Sequence, residues 1–404
     1  MNPAVSTPRL LLVAPSAQRT GGGDEWLAGL LRHLGRADAP AVVFEADGEL
    51  AGYARCCGCT TLVLPGAGNA ASGDVSGLVA PLAGVLARHR PDVTVFWSPR
   101  AQLYGWRAHL LAGRPGRTAW VQHVMPSDFW LHLDASRSPT DLVICVSRAV
   151  ARRQRELCPQ HPTLVVHPGR DAPPASLSRS AARARLGCAD AGQLIGVVGR
   201  VEPWKGQDIA VRMLAALTAR EAAVHLVIFG RKRSANWPGF SCEVTALIGE
   251  LGMTRRVTFA GHCRDVPGLL PALDILVCAS REEGFGLAIV EAMAAGVPVV
   301  ATCCGGPEDI IDHDVTGLLV PAEDPVALAD AVSRVLRDPG VGVSLASRAR
   351  RAWAERFTAA HSAEAFRAAV ACLAAARPCP SSMSLRSGAV VGDRMQIMRR
   401  DIIS

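Results

Sequence analysis

The stretch SREEGFGLAIVEAMAAGVPVVAT, residues 280–302, decides the fold of this chain. An apolar run, DILVCAS, leads into it and VPVVAT closes it, so both flanks read as strands. Between them GLAIVEAMAA is filled with good helix formers and is stopped by Gly296 and Pro298. The order is therefore strand, glycine turn and helix, with Gly284, Phe285, Gly286 and Leu287 forming the turn and helix start. Such a turn aims free backbone N–H groups and the positive end of the helix dipole at one point, which suits a phosphate or a set of sugar hydroxyls. Two carboxylates mark it. Glu283 stands at the mouth, and Glu291 falls about 7 Å deeper if the helix starts near Gly286, at about 1.5 Å per residue.

Outward from this stretch the same alternation recurs. RLLLVAPS, AVVFEA, TTLVLPG and DVTVFW read as strands in the first half, with PLAGVLARHR as a helix before the last of them. Three glycines, Gly21, Gly22 and Gly23, lie between the first strand and the helix that follows it, where the backbone can approach a ligand closely. GAGNAAS, from Gly66, is a poor dinucleotide fingerprint because its last glycine is missing. AWVQHVMPSDFW places His123 at the carboxyl end of a strand, where open α/β sheets bind ligands, and Asp128 nearby. A core histidine with a single hydrogen bond is the bland alternative. DAPPASLSRS has the composition of a linker, and a second series, LIGVVGR, AVHLVIFG and RVTFAG, begins beyond it. Strands alternating with helices imply parallel, doubly wound sheets.

A chain of 404 residues exceeds one ordinary core, so two domains are expected: 1–175 and 180–355. With 49% hydrophobic and 20% charged residues the chain is globular. Its net charge of +7 comes from scattered basic residues without a nucleic-acid-binding signature, so nucleic acid is not an expected partner. Only Lys205 and Lys232 are lysines, which makes a lysine inside a motif more noticeable. Thirteen cysteines, and an opening apolar run too short for a leader, favour a reduced, cytoplasmic location. Cys56 and Cys59 lack the partners of a metal site and read as small buried thiols, as do Cys303 and Cys304. No apolar run is long enough to cross a bilayer. DLVICVSRAVARRQREL carries Arg148, Arg152, Arg153 and Arg155; a solvated face is the first reading, and docking on anionic lipid or an acceptor phosphate is the second. Arg231, Lys232 and Arg233 either border a nucleotide or belong to an exposed loop.

The pair Glu283 and Glu291, with the turn around Gly284 and Gly286, resembles the paired-glutamate signature of retaining, nucleotide-sugar-dependent glycosyltransferases, the "glycosyl transferases group 1" type. The resemblance implies the GT-B fold, two doubly wound Rossmann-like domains facing a central cleft, with an N-terminal acceptor domain and a C-terminal donor domain. It implies that Glu291 holds the donor ribose and that Glu283, rather than Glu282, faces the transferred sugar. Gly199, Arg200, Lys205 and Gly206 match the strand-end arginine and turn lysine that bind the donor diphosphate in that family. Gly22 and Gly23 match its paired-glycine loop, and His123 its histidine near the transferred sugar. TLVVHPGRD resembles the closing strand of the first domain but departs from it: His167 and Pro168 stand where proline and asparagine are usual, so no asparagine contact carries over. The helix over 356–376 is implied to cross back to the first domain, leaving 377–404 as a mobile tail.

The expected function is transfer of a sugar from a UDP- or GDP-sugar to an acceptor hydroxyl with retention, without a metal or other cofactor. Two fixed cations would stabilise the departing diphosphate. The acceptor is a small molecule or a lipid-linked one, and peripheral contact at the inner face of the membrane stays open. The bias to arginine and alanine suggests a GC-rich bacterial source, where secondary-metabolite and cell-envelope glycosylation are both settings for such an enzyme. The rivals are a nucleotide-sugar epimerase, a two-carboxylate glycoside hydrolase and an inert binding member.

Overall fold

The computed structural model describes residues 7–19, 21–34, 39–65, 75–127, 129–173, 177–218, 223–232, 237–263 and 265–375. The GAGNAAS stretch, Asp128, Arg233 and the expected tail lie outside the described residues. The chain divides into two compact units. One comprises Met1–Val146, Val150–Val166 and Ala363–Ser404; the other comprises Ser147–Ala149 and His167–Ser362. The division thus falls at Val166, earlier than the proline- and serine-rich stretch expected to separate the domains. The final helix, Ala359–Ala375, begins in the second unit and belongs to the first from Ala363 onward.

The first unit is built on a parallel seven-stranded sheet. Its strands are β1 (Leu10–Ala14), β2 (Ala41–Phe44), β3 (Thr60–Val63), β4 (Val93–Phe96), β5 (Arg117–Gln122), β6 (Leu142–Cys145) and β7 (Thr163–Val165). They lie in the order β3-β2-β1-β4-β5-β6-β7. The second unit holds six strands: β8 (Gln193–Val198), β9 (Val224–Phe229), β10 (Val257–Gly261), β11 (Ile275–Cys278), β12 (Val299–Cys303) and β13 (Leu318–Pro321). Their order is β10-β9-β8-β11-β12-β13, again all parallel.

The continuous apolar runs explain this arrangement. Leu11, Leu12, Val13, Val95 and Phe96 in one sheet, and Leu194, Ile195, Leu226, Leu276 and Val300 in the other, are essentially inaccessible. A strand buried on both faces needs helices above and below, and right-handed crossovers then set the parallel order. In each sheet the strand order reverses once, between β1 and β4 and between β8 and β11, and such a reversal opens a crevice at the carboxyl ends.

Helix starts follow capping chemistry. Asp324 accepts from the Val326 and Ala327 N–H groups, with Pro325 in the first helical position. The same signal occurs at Asp338 and Pro339, which open the long helix Pro339–Arg356, and at Ser98 and Pro99, which open Pro99–Leu111. The segment between β9 and β10 contains the helix Phe240–Glu250, which no side chain caps and the sequence reading missed. Cys59 is buried as expected. Cys56 and Cys303 are instead exposed, because each closes its element on the solvent side, at the end of Glu49–Cys56 and of β12. No helix among the described residues is long and apolar enough to cross a membrane.

Gly206 tests how tightly the second unit is built. It has φ +65°, and a Cβ there would lie 1.9 Å from the Ala279 carbonyl oxygen. Gly206→Ala is expected to destabilise the protein by about 1–3 kcal/mol through backbone strain alone. Gly84, inside the helix Ser76–His89, meets nothing within 4 Å. Gly84→Ala should therefore stabilise by about 0.5–1 kcal/mol, and paired denaturant melts check both signs.

Candidate active site

In the second unit β8 and β11 are neighbours, so the turns leaving their carboxyl ends meet. Lys205 comes from the short 3₁₀ turn Pro203–Lys205 after β8, and Glu283 from the turn after β11. Lys205 Nζ lies 2.5 Å from Glu283 Oε2, and Ser280 Oγ donates to the same oxygen at 3.3 Å. Burial works against the lysine's charge, but the Glu283 carboxylate more than offsets it, so the pKa of Lys205 is raised and the ammonium is charged at neutral pH. Arg200 is near enough for its charge to oppose that of Lys205, and its Nη1 lies 3.3 Å from Glu202 Oε1. The Lys205 stem packs 3.3–3.5 Å from where a Cβ of Gly199 would be. The four expected residues Gly199, Arg200, Lys205 and Glu283 are thus at one place.

Arg281 locks the two turns together. Its guanidinium takes both Asp208 oxygens, at 2.9 and 2.7 Å, and donates to the Pro203 carbonyl at 2.7 Å. Its backbone N–H donates to the Trp204 carbonyl at 2.7 Å. Burial raises the Asp208 pKa, but the bonds from Arg281 outweigh it and the net shift is downward, which keeps this clamp ionised. Sequence reading missed Arg281, although it directly precedes the glutamates.

The glutamate turn is fixed by its backbone. Glu283 N–H donates to the Cys304 carbonyl at 3.1 Å, and Gly306 N–H donates to the Glu283 carbonyl at 2.8 Å. A Cβ on Gly306 would sit 2.2 Å from the Phe285 carbonyl oxygen, so only glycine permits this approach. The helix Leu287–Ala295 begins at Gly286, whose φ is +112°. Among the described residues no acceptor faces the backbone N–H groups of Gly284, Phe285, Gly286 and Leu287. Four donors beside a lysine and an arginine form a cradle for an anion.

Glu291, deeper on the helix and assigned to the ribose by the resemblance, has Arg170 Nε 2.9 Å from its Oε1. Arg148, expected on a solvated face, keeps an exposed side chain but is also bound to Asp309, through its backbone N–H at 2.7 Å and its Nε at 2.9 Å. Ser147–Ala149 belong to the second unit, as Asp309 does. Arg152 and Arg155 of the same helix are exposed. Lys232 packs its Nζ 3.9 Å from the ring centroid of Phe259, a cation–π contact.

The first unit repeats the geometry at its own strand ends. Its first helix starts at Gly22, two residues earlier than a three-glycine linker requires, because Asp24 Oδ2 accepts from Gly21 N–H. A Cβ on Gly23 would lie 3.4–3.5 Å from the His123 ring, and Trp97 Nε1 donates to the Gly23 carbonyl at 3.1 Å. The expected Gly22, Gly23 and His123 therefore lie together, with Trp26 and Trp97 around the imidazole. His123 Nε2 is 2.5 Å from the Trp97 carbonyl, which can only accept, so Nε2 carries the proton. Nδ1 is buried and has no partner among the described residues. Burial lowers the His123 pKa to about 4, partly opposed by the Trp97 bond.

The folded chain has the GT-B fold. The HepE structure from Anabaena in complex with UDP and glucose superposes with a TM-score of 0.78 at 24% identity, covering 90% of this chain and 99% of that one. Sucrose-phosphate synthase from Thermosynechococcus elongatus gives 0.75 at 21%, covering 90% of this chain and all of that one. Residues 192–338 match the model described as glycosyl transferases group 1. D-inositol 3-phosphate glycosyltransferase from Salinispora arenicola is 37% identical over 200 residues, 46% of this chain and 44% of the relative. The lipopolysaccharide core biosynthesis mannosyltransferase LpsB from Rhizobium meliloti is 33% identical over 162 residues, 40% of this chain and 46% of the relative. The chain thus matches about half the length of these curated relatives.

The buried imidazole makes a checkable prediction. With a folded pKa near 4 against an ordinary 6.5, the neutral form is favoured by folding. Its stability contribution is full above about pH 6.5 and is lost as pH falls towards 4. An NMR titration should show His123 unprotonated from pH 8 to 5, whereas a midpoint near 6.5 would contradict the burial.

Proposed function

We propose that this chain is a retaining glycosyltransferase that moves a sugar from a UDP- or GDP-sugar to an acceptor hydroxyl. The observation that carries the reading is the meeting of the Lys205–Glu283 pair with four backbone N–H groups lacking acceptors. The family match over 192–338 supports it, as do relatives named for sugar transfer.

The chemistry follows from charge. When a glycosidic bond to a diphosphate breaks, negative charge rises on the bridging oxygen. Lys205, kept charged by Glu283, and Arg200 stand where that charge can be neutralised. The two side-chain cations are assigned the work a divalent ion does elsewhere. Glu283, ion-paired with Lys205, is assigned to the transferred sugar, and Glu291 to the ribose. His123, neutral at physiological pH, brings no charge to a sugar, and Nδ1 is its one ring nitrogen without a partner among the described residues. The retaining course is read as front-side substitution, in which the departing phosphate takes the acceptor's proton. Small-molecule and lipid-linked acceptors both fit it, and a cytoplasmic site is the natural source of nucleotide sugars.

Screening UDP- and GDP-sugars by thermal shift tests the donor class, since a ligand at 100 times its Kd adds about 2.7 kcal/mol of stability. No shift with any of them would overturn the reading. Lys205→Ala is expected to lower kcat about 100- to 1000-fold, as removal of one oxyanion donor does. Lys205→Arg should recover part of that loss. A rise in KM with kcat unchanged would make Lys205 a ground-state binder only. Turnover should also persist in chelator; its complete loss, restored by magnesium or manganese, would count against metal independence.

A further inference from the structure

Two residues with no assigned function, His167 and Arg170, come from the stretch that departs from the resembled pattern. Both belong to the second unit, and their backbone is held tightly there. Arg170 N–H donates to the Phe357 carbonyl at 2.9 Å, and Trp353 Nε1 donates to the Arg170 carbonyl at 3.1 Å. A Cβ on Gly169 would sit 2.1 Å from the Thr358 carbonyl oxygen, so the chain passes where only glycine fits. Ser362 Oγ donates to the His167 carbonyl at 2.8 Å. From this anchored backbone Arg170 reaches the glutamate helix, and His167 reaches the turn before it and Asp309.

Arg170 Nε meets Glu291 Oε1 at 2.9 Å, with both side chains mostly buried. His167 stacks on Phe285, with ring centroids 5.5 Å apart and planes 20° from parallel. Its Nε2 lies 3.0 Å from Asp309 Oδ2, a carboxylate only 4% exposed that Arg148 also holds. An ionised carboxylate only accepts, so His167 Nε2 donates. Phe285 in turn touches Phe357, the residue whose carbonyl fixes Arg170.

We propose that Arg170 and His167 are positioning residues of the donor site: Arg170 orients the Glu291 carboxylate for the ribose, and His167 holds the Phe285–Gly286 turn whose N–H groups face the diphosphate. This rests on the donor reading above. A long carboxylate on a helix samples several rotamers, and a guanidinium anchored by its own backbone selects one. Preorganising a binding group in this way raises affinity by removing the ordering cost at the moment of binding. Arg170 therefore acts on donor binding through Glu291, and its effect should vanish when Glu291 is absent.

A double-mutant cycle reads this directly. Kd values for UDP and GDP, with donor KM and kcat for the nucleotide sugar that is used, are measured on wild type, Arg170→Ala, Glu291→Ala and the double variant, each checked for folding by its melt. Arg170→Ala is expected to raise donor KM about 10-fold with kcat within about 3-fold, Arg170→Lys to recover part, and Arg170→Ala to add nothing in the Glu291→Ala background. Arg170→Gln carries the cycle if the alanine variant does not fold. His167→Gln, which keeps a donor for Asp309 but loses the stack, should raise the Kd of the nucleotides alone. Fully additive losses, or a fall in Tm with donor KM unchanged, would overturn the inference while leaving the donor reading intact. Absence of UDP and GDP binding by the wild type would overturn the donor reading and this inference with it.

Discussion

The candidate site of the second unit is arranged around one electrostatic contact, the Lys205–Glu283 pair. It exists because β8 and β11 are adjacent although β9 and β10 lie between them in the chain. Parallel strands end at the same edge, so the turns leaving two neighbours must meet. A largely buried ion pair contributes little net stability, since desolvation consumes most of the Coulomb gain. Its value here is to keep a cation charged and in place beside a helix start. The surrounding geometry serves that placement: Gly206 turns the chain where a side chain cannot go, and Arg281 fastens the lysine turn to the glutamate turn.

The first unit obeys the same geometric rule with different chemistry. The segments that follow β1, β4 and β5 supply Gly23, Trp97 and His123, and these meet because the strands are neighbours. Here the result is aromatic and apolar rather than charged. Two tryptophans around an imidazole exclude water, and that exclusion is why the histidine stays neutral.

Much of the second unit's order rests on polar contacts between residues far apart in sequence. Asp309 gathers Arg148 and His167, and Glu291 takes Arg170. A buried carboxylate with fewer partners would be protonated or avoided; burial raises the Asp309 pKa, but the bonds from His167 and Arg148 carry it below the ordinary value.

The sequence by itself determined the two parallel sheets, since apolar runs of strand length alternating with helix formers have few other ways to bury themselves. It also determined the glycine turns and the helix that starts at Gly286, because capping, φ and helix propensity are local. Gly199, Arg200, Lys205 and Glu283 were legible as candidates because they match the motifs of the resembled family, in the turns that follow β8 and β11. Tertiary structure alone decided which charges pair. Nothing local distinguishes Arg170 from an exposed arginine, Arg148 from the solvated face of its helix, or His167 from any loop histidine. Their partners are supplied by strand order and by chain returning from far along the sequence. Ion pairing depends on separation in space and on burial, and neither is a property of a local stretch of chain.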